Sequence, residues 1–90
     1  MADVRLRPAV VADIPTILDL IRELAEFERA PASATATPDL MYDALFGPRA
    51  VAHAIMAEDA AETLGFALYF FNFSTWTGRR GLSPEDFYVR

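Results

Sequence analysis

The sequence predicts a small α+β domain of order β-α-α-β-β-β, a mostly antiparallel sheet carrying two helices. Three observations lead there. Residues 64–73 form a run that is apolar on both alternating faces, residues 12–28 repeat with the period of a helix, and Thr37-Pro38-Asp39 is the start signal of a second, shorter helix. Ninety residues, 53% of them hydrophobic, make one domain over 1–90 rather than a disordered chain. So short a chain buries a modest fraction of its surface, and its stability is expected to be marginal.

In order, Val4 and Leu6 alternate with Asp3, Arg5 and Arg7, the pattern of a half-exposed strand near a sheet edge, which Pro8 should end. The first helix follows over about 12–28, with Ile14, Ile17, Leu18, Ile21, Leu24 and Ala25 on one stripe and Pro15 tolerated in the first turn. Continuing that stripe lands on Glu28. Pattern alone favours a fraying helix end and a solvated carboxylate there.

Residues 30–36 are rich in Ala, Ser, Thr and Pro and read as a mobile connector. In the second helix Thr37 is the N-cap, Pro38 the first position and Asp39 the acid that suits the helix dipole, with Gly47-Pro48 as the stop. Residues 50–57 are a strand candidate, although their small residues also permit a helix, and they contain His53, which should do no more than find a hydrogen bond. A polar turn at 58–62 then makes a hairpin with the apolar run.

In that run Phe66, Leu68 and Phe70 point one way, and Ala67, Tyr69, Phe71 and Phe73 the other. A strand greasy on both sides should lie inside a sheet covered on both faces. Residues 72–84 read as a long connection, in which Trp76 caps the sheet end and Arg79-Arg80 is a solvated basic pair. The last strand is short and opens on Glu85 and Asp86. Carboxylates at the mouth of a buried strand are costly unless paired, solvated or useful.

Composition excludes several functions. With no cysteine there is no disulfide, thiolate metal site or cysteine nucleophile, and a single histidine makes a zinc site improbable. A net charge of −5 disfavours nucleic acid as a partner and is compatible with a cationic ligand. The longest apolar run is too short to cross a bilayer, and Asp3 stands where a signal peptide would be cationic, so the expected location is cytoplasmic. No phosphate loop, triad spacing or internal repeat is present.

Four stretches together resemble a known family. They are Arg7-Pro8-Ala9 with Asp13-Ile14-Pro15, then Ile21-Arg22-Glu23-Leu24-Ala25-Glu26-Phe27-Glu28, then the run from Gly65 to Phe73 with Ser74-Thr75-Trp76-Thr77-Gly78-Arg79, and last Glu85-Asp86-Phe87-Tyr88-Val89-Arg90. In this order they resemble the diamine (spermidine/spermine-type) N-acetyltransferases of the GNAT superfamily, over nearly the whole chain. The resemblance implies the amino-terminal half of a GNAT fold, with acetyl-CoA as cofactor and a small cationic amine, polyamine or lysine-like, as substrate.

It also implies roles for particular residues. Phe27, Glu28, Trp76, Glu85 and Asp86 correspond to the amine-acceptor site, where carboxylates hold an ammonium group. Glu85 is the implied general base, directly or through a water. Phe87, Tyr88 and Val89 match the strand segment that pairs with the pantetheine arm, where an N–H would polarise the thioester carbonyl. The family's pyrophosphate-cradling loop and its later tyrosine would fall after Arg90, so the 90-residue chain alone is expected to have little activity. Leu82-Ser83-Pro84 stands where the family carries a hydrophobic lead, and Pro84 is expected to cost a ladder donor and shift Glu85. Two further expectations concern partners. A non-catalytic module would self-associate as a homodimer, or pair with a complementing carboxyl-terminal half, through an open sheet edge; a truncated gene product would barely fold.

Overall fold

The computed structural model describes residues 3–30, 32, 34–60 and 62–90. Parts of the connector at 30–36 (Pro31, Ser33) and of the turn at 58–62 (Ala61) lie outside the described residues. The expected element order is found: β1 (Arg5–Pro8), α1 (Ile14–Phe27), α2 (Pro38–Leu45), β2 (His53–Glu58), β3 (Thr63–Ser74) and β4 (Arg79–Val89). A 3-10 turn, Val11–Asp13, leads into α1. The strands form one antiparallel sheet in the order β1-β2-β3-β4, so β1 lies at an edge as expected.

The entry to α1 is fixed by charge. Asp13 is buried, and its carboxylate accepts two hydrogen bonds from the Arg7 guanidinium, at 2.7 and 2.9 Å. It accepts a third from the Val10 N–H at 2.7 Å, and Arg7 donates also to Glu58 on β2 at 3.0 Å. Arg7 thereby staples β1, β2 and the start of α1 together. In α2 the cap is as expected: the Thr37 hydroxyl accepts from the Leu40 N–H at 3.2 Å, with Pro38 leading the first turn.

Both helices lie on one face of the sheet. Ile14, Ile17, Leu18 and Leu20 of α1, Met41 and Leu45 of α2, Ala54 and Met56 of β2, and Phe66 of β3 make the core. Ile21, Leu24 and Ala25 are only half-buried, while Leu20, absent from the expected stripe, is fully buried. The helix therefore meets the sheet with its first half rotated from the simplest repeat.

Three sequence expectations are corrected. The helices cover only one face of β3. On the other, Val4, Leu6, Ile55, Ala57, Leu64, Ala67, Phe87 and Val89 line an open trough of about 400 Å³, with Leu6 and Phe87 strongly exposed. Alternating apolar residues reveal that both faces avoid polar groups, not what covers them. Second, residues 72–84 are no loop. The chain turns only over 75–78, so β4 is long and begins at Arg79. The Ser74 carbonyl accepts from the Gly78 N–H at 2.8 Å, and Gly78 takes the positive φ (66°) that closes the turn. Ser, Thr, Gly and Pro misread as loop signals because an exposed hairpin needs no apolar alternation. Third, His53 is exposed, and its contacts are rings: it stacks on Tyr69 and meets Phe71 edge-on, both at 5.3 Å between centroids.

Candidate functional site

The site begins where α1 ends. Glu28 is the C-cap, and its N–H donates to the Leu24 carbonyl at 2.9 Å. The next N–H groups turn back on the helix, Arg29 to the Glu26 carbonyl at 3.0 Å and Ala30 to the Ala25 carbonyl at 2.7 Å. Arg29 takes φ 59°, so the helix closes in a Schellman turn with a non-glycine residue in the left-handed region. Glu28 is exposed, in line with the solvated reading, but the helix ends in this ordered cap and not by fraying. The negative end of the α1 dipole lies here, and no basic residue occupies its last turn.

Opposite this helix end stands β4. Leu68 pairs with Asp86 but Tyr69 pairs with Pro84, leaving Glu85 as an extra residue in a bulge. Pro84 has no N–H to give to the ladder, and Glu85 beside it falls out of register with β3. On either side of the bulge the strand keeps its alternation. Asp86 and Tyr88 therefore face the helices, whereas Phe87 and Val89 face the open side.

Asp86 and Glu28 line one small cavity of about 120 Å³ with Ile21, Leu24, Ala25, Ala30 and Ala34. Burial pushes the Asp86 carboxyl above its ordinary range, and the charges of Glu85 and Glu28 push it the same way. Asp86 thus has two carboxylates for neighbours. Among the described residues no basic side chain forms an ion pair with any of them. A half-buried Asp86 beside two exposed carboxylates at a helix carboxyl end favours a cation on electrostatic grounds.

Other expected site residues are spread out. Phe27 is 80% exposed beside Glu28, whereas Trp76, 97% exposed, sits in the hairpin turn. From Leu68, opposite Asp86, to Ser74 at the turn β3 runs six residues, about 20 Å at the rise of an extended strand. The structure does not bring Trp76 to the carboxylates. Phe87, Tyr88 and Val89 pair with Ala67, Phe66 and Gly65, and β4 is an outer strand whose second edge is unpaired among the described residues. An extended arm able to exchange backbone hydrogen bonds fits that edge. Among the described residues no group of side chains could hold a metal ion.

Sequence reading missed the clamp that sets this geometry. Glu23 of α1 accepts from Arg90 at 3.1, 3.2 and 2.8 Å and from the Tyr88 hydroxyl at 3.4 Å, fixing α1 against the end of β4. The Arg90 hydrogen bonds hold the Glu23 carboxyl below its ordinary range, against the opposing effect of burial. Glu23 lies 67 positions from Arg90, so no local pattern could signal the contact.

No protein-family model matches the sequence. It is 35% identical over 97 residues to a thialysine N-epsilon-acetyltransferase of Mus musculus, a match covering 99% of this chain and 56% of that protein. It is 38% identical over 93 residues to the human spermidine/spermine N(1)-acetyltransferase-like protein 1, covering 94% of this chain and 13% of that protein. A crystal structure of a probable acetyltransferase superposes with a TM-score of 0.75 at 22% identity, over 96% of this chain and 57% of that one. The chain resembles acetyltransferases in sequence and shares the GNAT fold, and its match fits their amino-terminal half. A ribosomal-protein-alanine N-acetyltransferase from Brucella melitensis biovar Abortus 2308 shares the GNAT fold at a TM-score of 0.72 and 20% identity, over 97% of this chain and 57% of its own. The chain spans about half the length of the thialysine acetyltransferases it matches.

Proposed function

We propose that this chain is the amine-acceptor half of an acetyl-CoA-dependent N-acetyltransferase acting on a polyamine or lysine-like primary amine. One observation carries the reading: Glu28 and Asp86 share a cavity at the carboxyl end of α1, with Glu85 beside Asp86 and no cation paired with any of them among the described residues. The relatives' names point to the same substrates, thialysine and spermidine or spermine. In this reading Glu28 and Asp86 hold the ammonium form of the amine through charge-assisted hydrogen bonds. The attacking nitrogen must shed a proton, and Glu85, displaced by the bulge, accepts it directly or through a water. Asp86, whose carboxyl titrates higher than an ordinary aspartate, stands beside it as a second acceptor. Phe87, Tyr88 and Val89 offer backbone groups at the strand edge. Acetyl-CoA, when bound, supplies the activated acetyl group. In the described residues no helix is long and apolar enough to cross a membrane, and the cytoplasm is the proposed location.

Titrating the chain with spermidine by NMR tests the reading. Shifts are expected at residues 24–28 and 85–88, with Asp86→Asn weakening binding about tenfold, the lower range for a lost charge-assisted contact. Unchanged affinity in Asp86→Asn would sink the assignment. Acetyl-CoA is expected to bind weakly to the chain alone, and tight binding in a calorimeter would contradict the acceptor-half reading. A second reading is favoured by the open trough and outer edge of the sheet. Apolar faces of this kind mark interaction surfaces. A complementing carboxyl-terminal half that covers the trough would remain bound through size-exclusion chromatography.

A further inference from the structure

Helix α1 and strand β4 run antiparallel, and their side chains meet at two places. At one end opposite charges pair. The Arg90 guanidinium donates to both Glu23 carboxylate oxygens, from Nη2 to Oε2 at 2.8 Å and from Nε to Oε1 at 3.1 Å, and the Tyr88 hydroxyl donates to Oε1 at 3.4 Å. Arg90 is itself tied to β3: its backbone N–H donates to the Leu64 carbonyl at 2.7 Å and its guanidinium to the Thr63 carbonyl at 3.4 Å. At the other end like charges meet, with Glu28 and Asp86 lining one cavity of about 120 Å³. Between the two ends Ile21, Leu24 and Ala25 are only half-buried. The fully packed residues of α1, Ile14, Ile17, Leu18 and Leu20, all lie in its first half.

Repulsion of Glu28 by Asp86 and Glu85 pushes the carboxyl end of α1 off the sheet, and little apolar packing opposes it there. A forked carboxylate–guanidinium pair fixes distance and angle together. Glu23 stands five residues before Glu28, about 8 Å along the axis, so a helix pinned at Glu23 carries Glu28 with little play. We infer that Glu23 is a positioning residue: by gripping Arg90 and Tyr88 it holds Glu28 on the same cavity as Asp86, against the repulsion between them. Glu23 touches no ligand itself. Without the clamp the helix end lifts, water enters the cavity and Glu28 withdraws from Asp86. The spacing of the two carboxylates rests on the clamp and the cavity alone, whereas its use in gripping an amine rests on the acceptor-site reading above.

Carbon-13 NMR of the Asp86 carboxyl across a pH series tests the inference without a ligand. In the wild-type chain burial, Glu85 and Glu28 push this carboxyl above its ordinary range. In Glu23→Gln/Arg90→Gln it is expected to titrate lower, because the cavity opens and Glu28 moves away. The double variant removes one charge of each sign, so its direct effects on Asp86 oppose each other and the fall reports geometry. Far-UV circular dichroism checks that it folds. Should it unfold, Arg90→Lys, which keeps the charge without the fork, gives the same downward shift in a folded chain. A merely structural pair would lower stability and leave the Asp86 titration of the folded chain in place. Spermidine titration is the second arm: affinity is expected to fall about threefold in the double variant, as for a well-formed, partly exposed ion pair. An Asp86 titration unmoved in the folded variant would overturn the inference. So would a spermidine affinity that falls in Asp86→Asn but not in Glu23→Gln/Arg90→Gln. An affinity indifferent to Asp86→Asn would sink the amine reading instead, and the Asp86 titration then decides the clamp.

Discussion

Removing the Asp13 carboxylate tests whether the Arg7 staple holds the fold together. In Asp13→Ala the Arg7 guanidinium loses two charge-assisted hydrogen bonds of 2.7 and 2.9 Å, and the Val10 N–H loses its acceptor at 2.7 Å. Breaking a buried ion pair from one side costs about 3–5 kcal/mol. Arg7 is partly exposed and keeps Glu58, which puts the expected loss near about 3 kcal/mol, a large part of what a domain of this size has. Urea unfolding followed by far-UV circular dichroism measures it; Trp76 fluorescence would not, since that ring is already in water. The pH dependence supplies a second arm. Hydrogen bonds from Arg7 outweigh burial and hold the Asp13 carboxyl below its ordinary range. As pH falls, the unfolded chain therefore binds this proton before the folded one does. The stabilisation is full above the ordinary aspartate range, near about 4, and is lost as pH drops through the folded value. Asp13→Ala should lose that part of the acid limb and keep the part due to Glu23, which Arg90 likewise holds down. A loss under about 1 kcal/mol at pH 7, with an unchanged acid limb, would refute the staple.

Three further outcomes are expected. Arg29→Gly should stabilise the chain by about 1 kcal/mol in urea, because the αL conformation at φ 59° strains a residue with a Cβ. Gly65→Ala should destabilise by about 2 kcal/mol and move the Tyr88 and Val89 amide resonances. A Cβ there would run into the Tyr88 carbonyl oxygen, and β4 would have to shift. Asp86→Asn should raise the melting temperature at pH 7 but not at pH 3, while weakening spermidine binding. Because the folded carboxyl titrates above the unfolded one, the wild-type penalty appears only as pH rises past the ordinary aspartate range.

The parts of the fold legible in the sequence are those with local causes. Thr37, Pro38 and Asp39 announce α2, because a cap, a preset φ and a dipole partner act within one turn. Alternation in β3 gave the correct partition into faces, since the pleat is a property of the strand itself. What lies over each face depends on elements distant in the chain, and there the reading failed. The hairpin failed for a different reason: its strands are exposed, so burial left no imprint on residues 72–84. At the site, the resemblance supplied Glu28, Glu85 and Asp86, but not their division of labour. Which carboxylate is buried follows from the bulge that Pro84 imposes on the ladder, and a register shift changes side-chain direction without changing composition.

The two acidic sites of this chain then separate by physical principle. Asp13 and Glu23 each receive several hydrogen bonds from an arginine, and both carboxyls are held below their ordinary range. They stabilise the fold, at the start of α1 and across to the end of β4. Asp86 has two carboxylates for neighbours and a carboxyl pushed upward, an arrangement that lowers stability unless a cation completes it. Among the described acids whose titration the surroundings displace, Asp86 alone is pushed upward, and a cost kept at one place while relieved elsewhere is the usual mark of a site kept for binding. A cationic amine would satisfy that deficit, so spermidine is expected to raise the melting temperature of the wild-type chain more than that of Asp86→Asn.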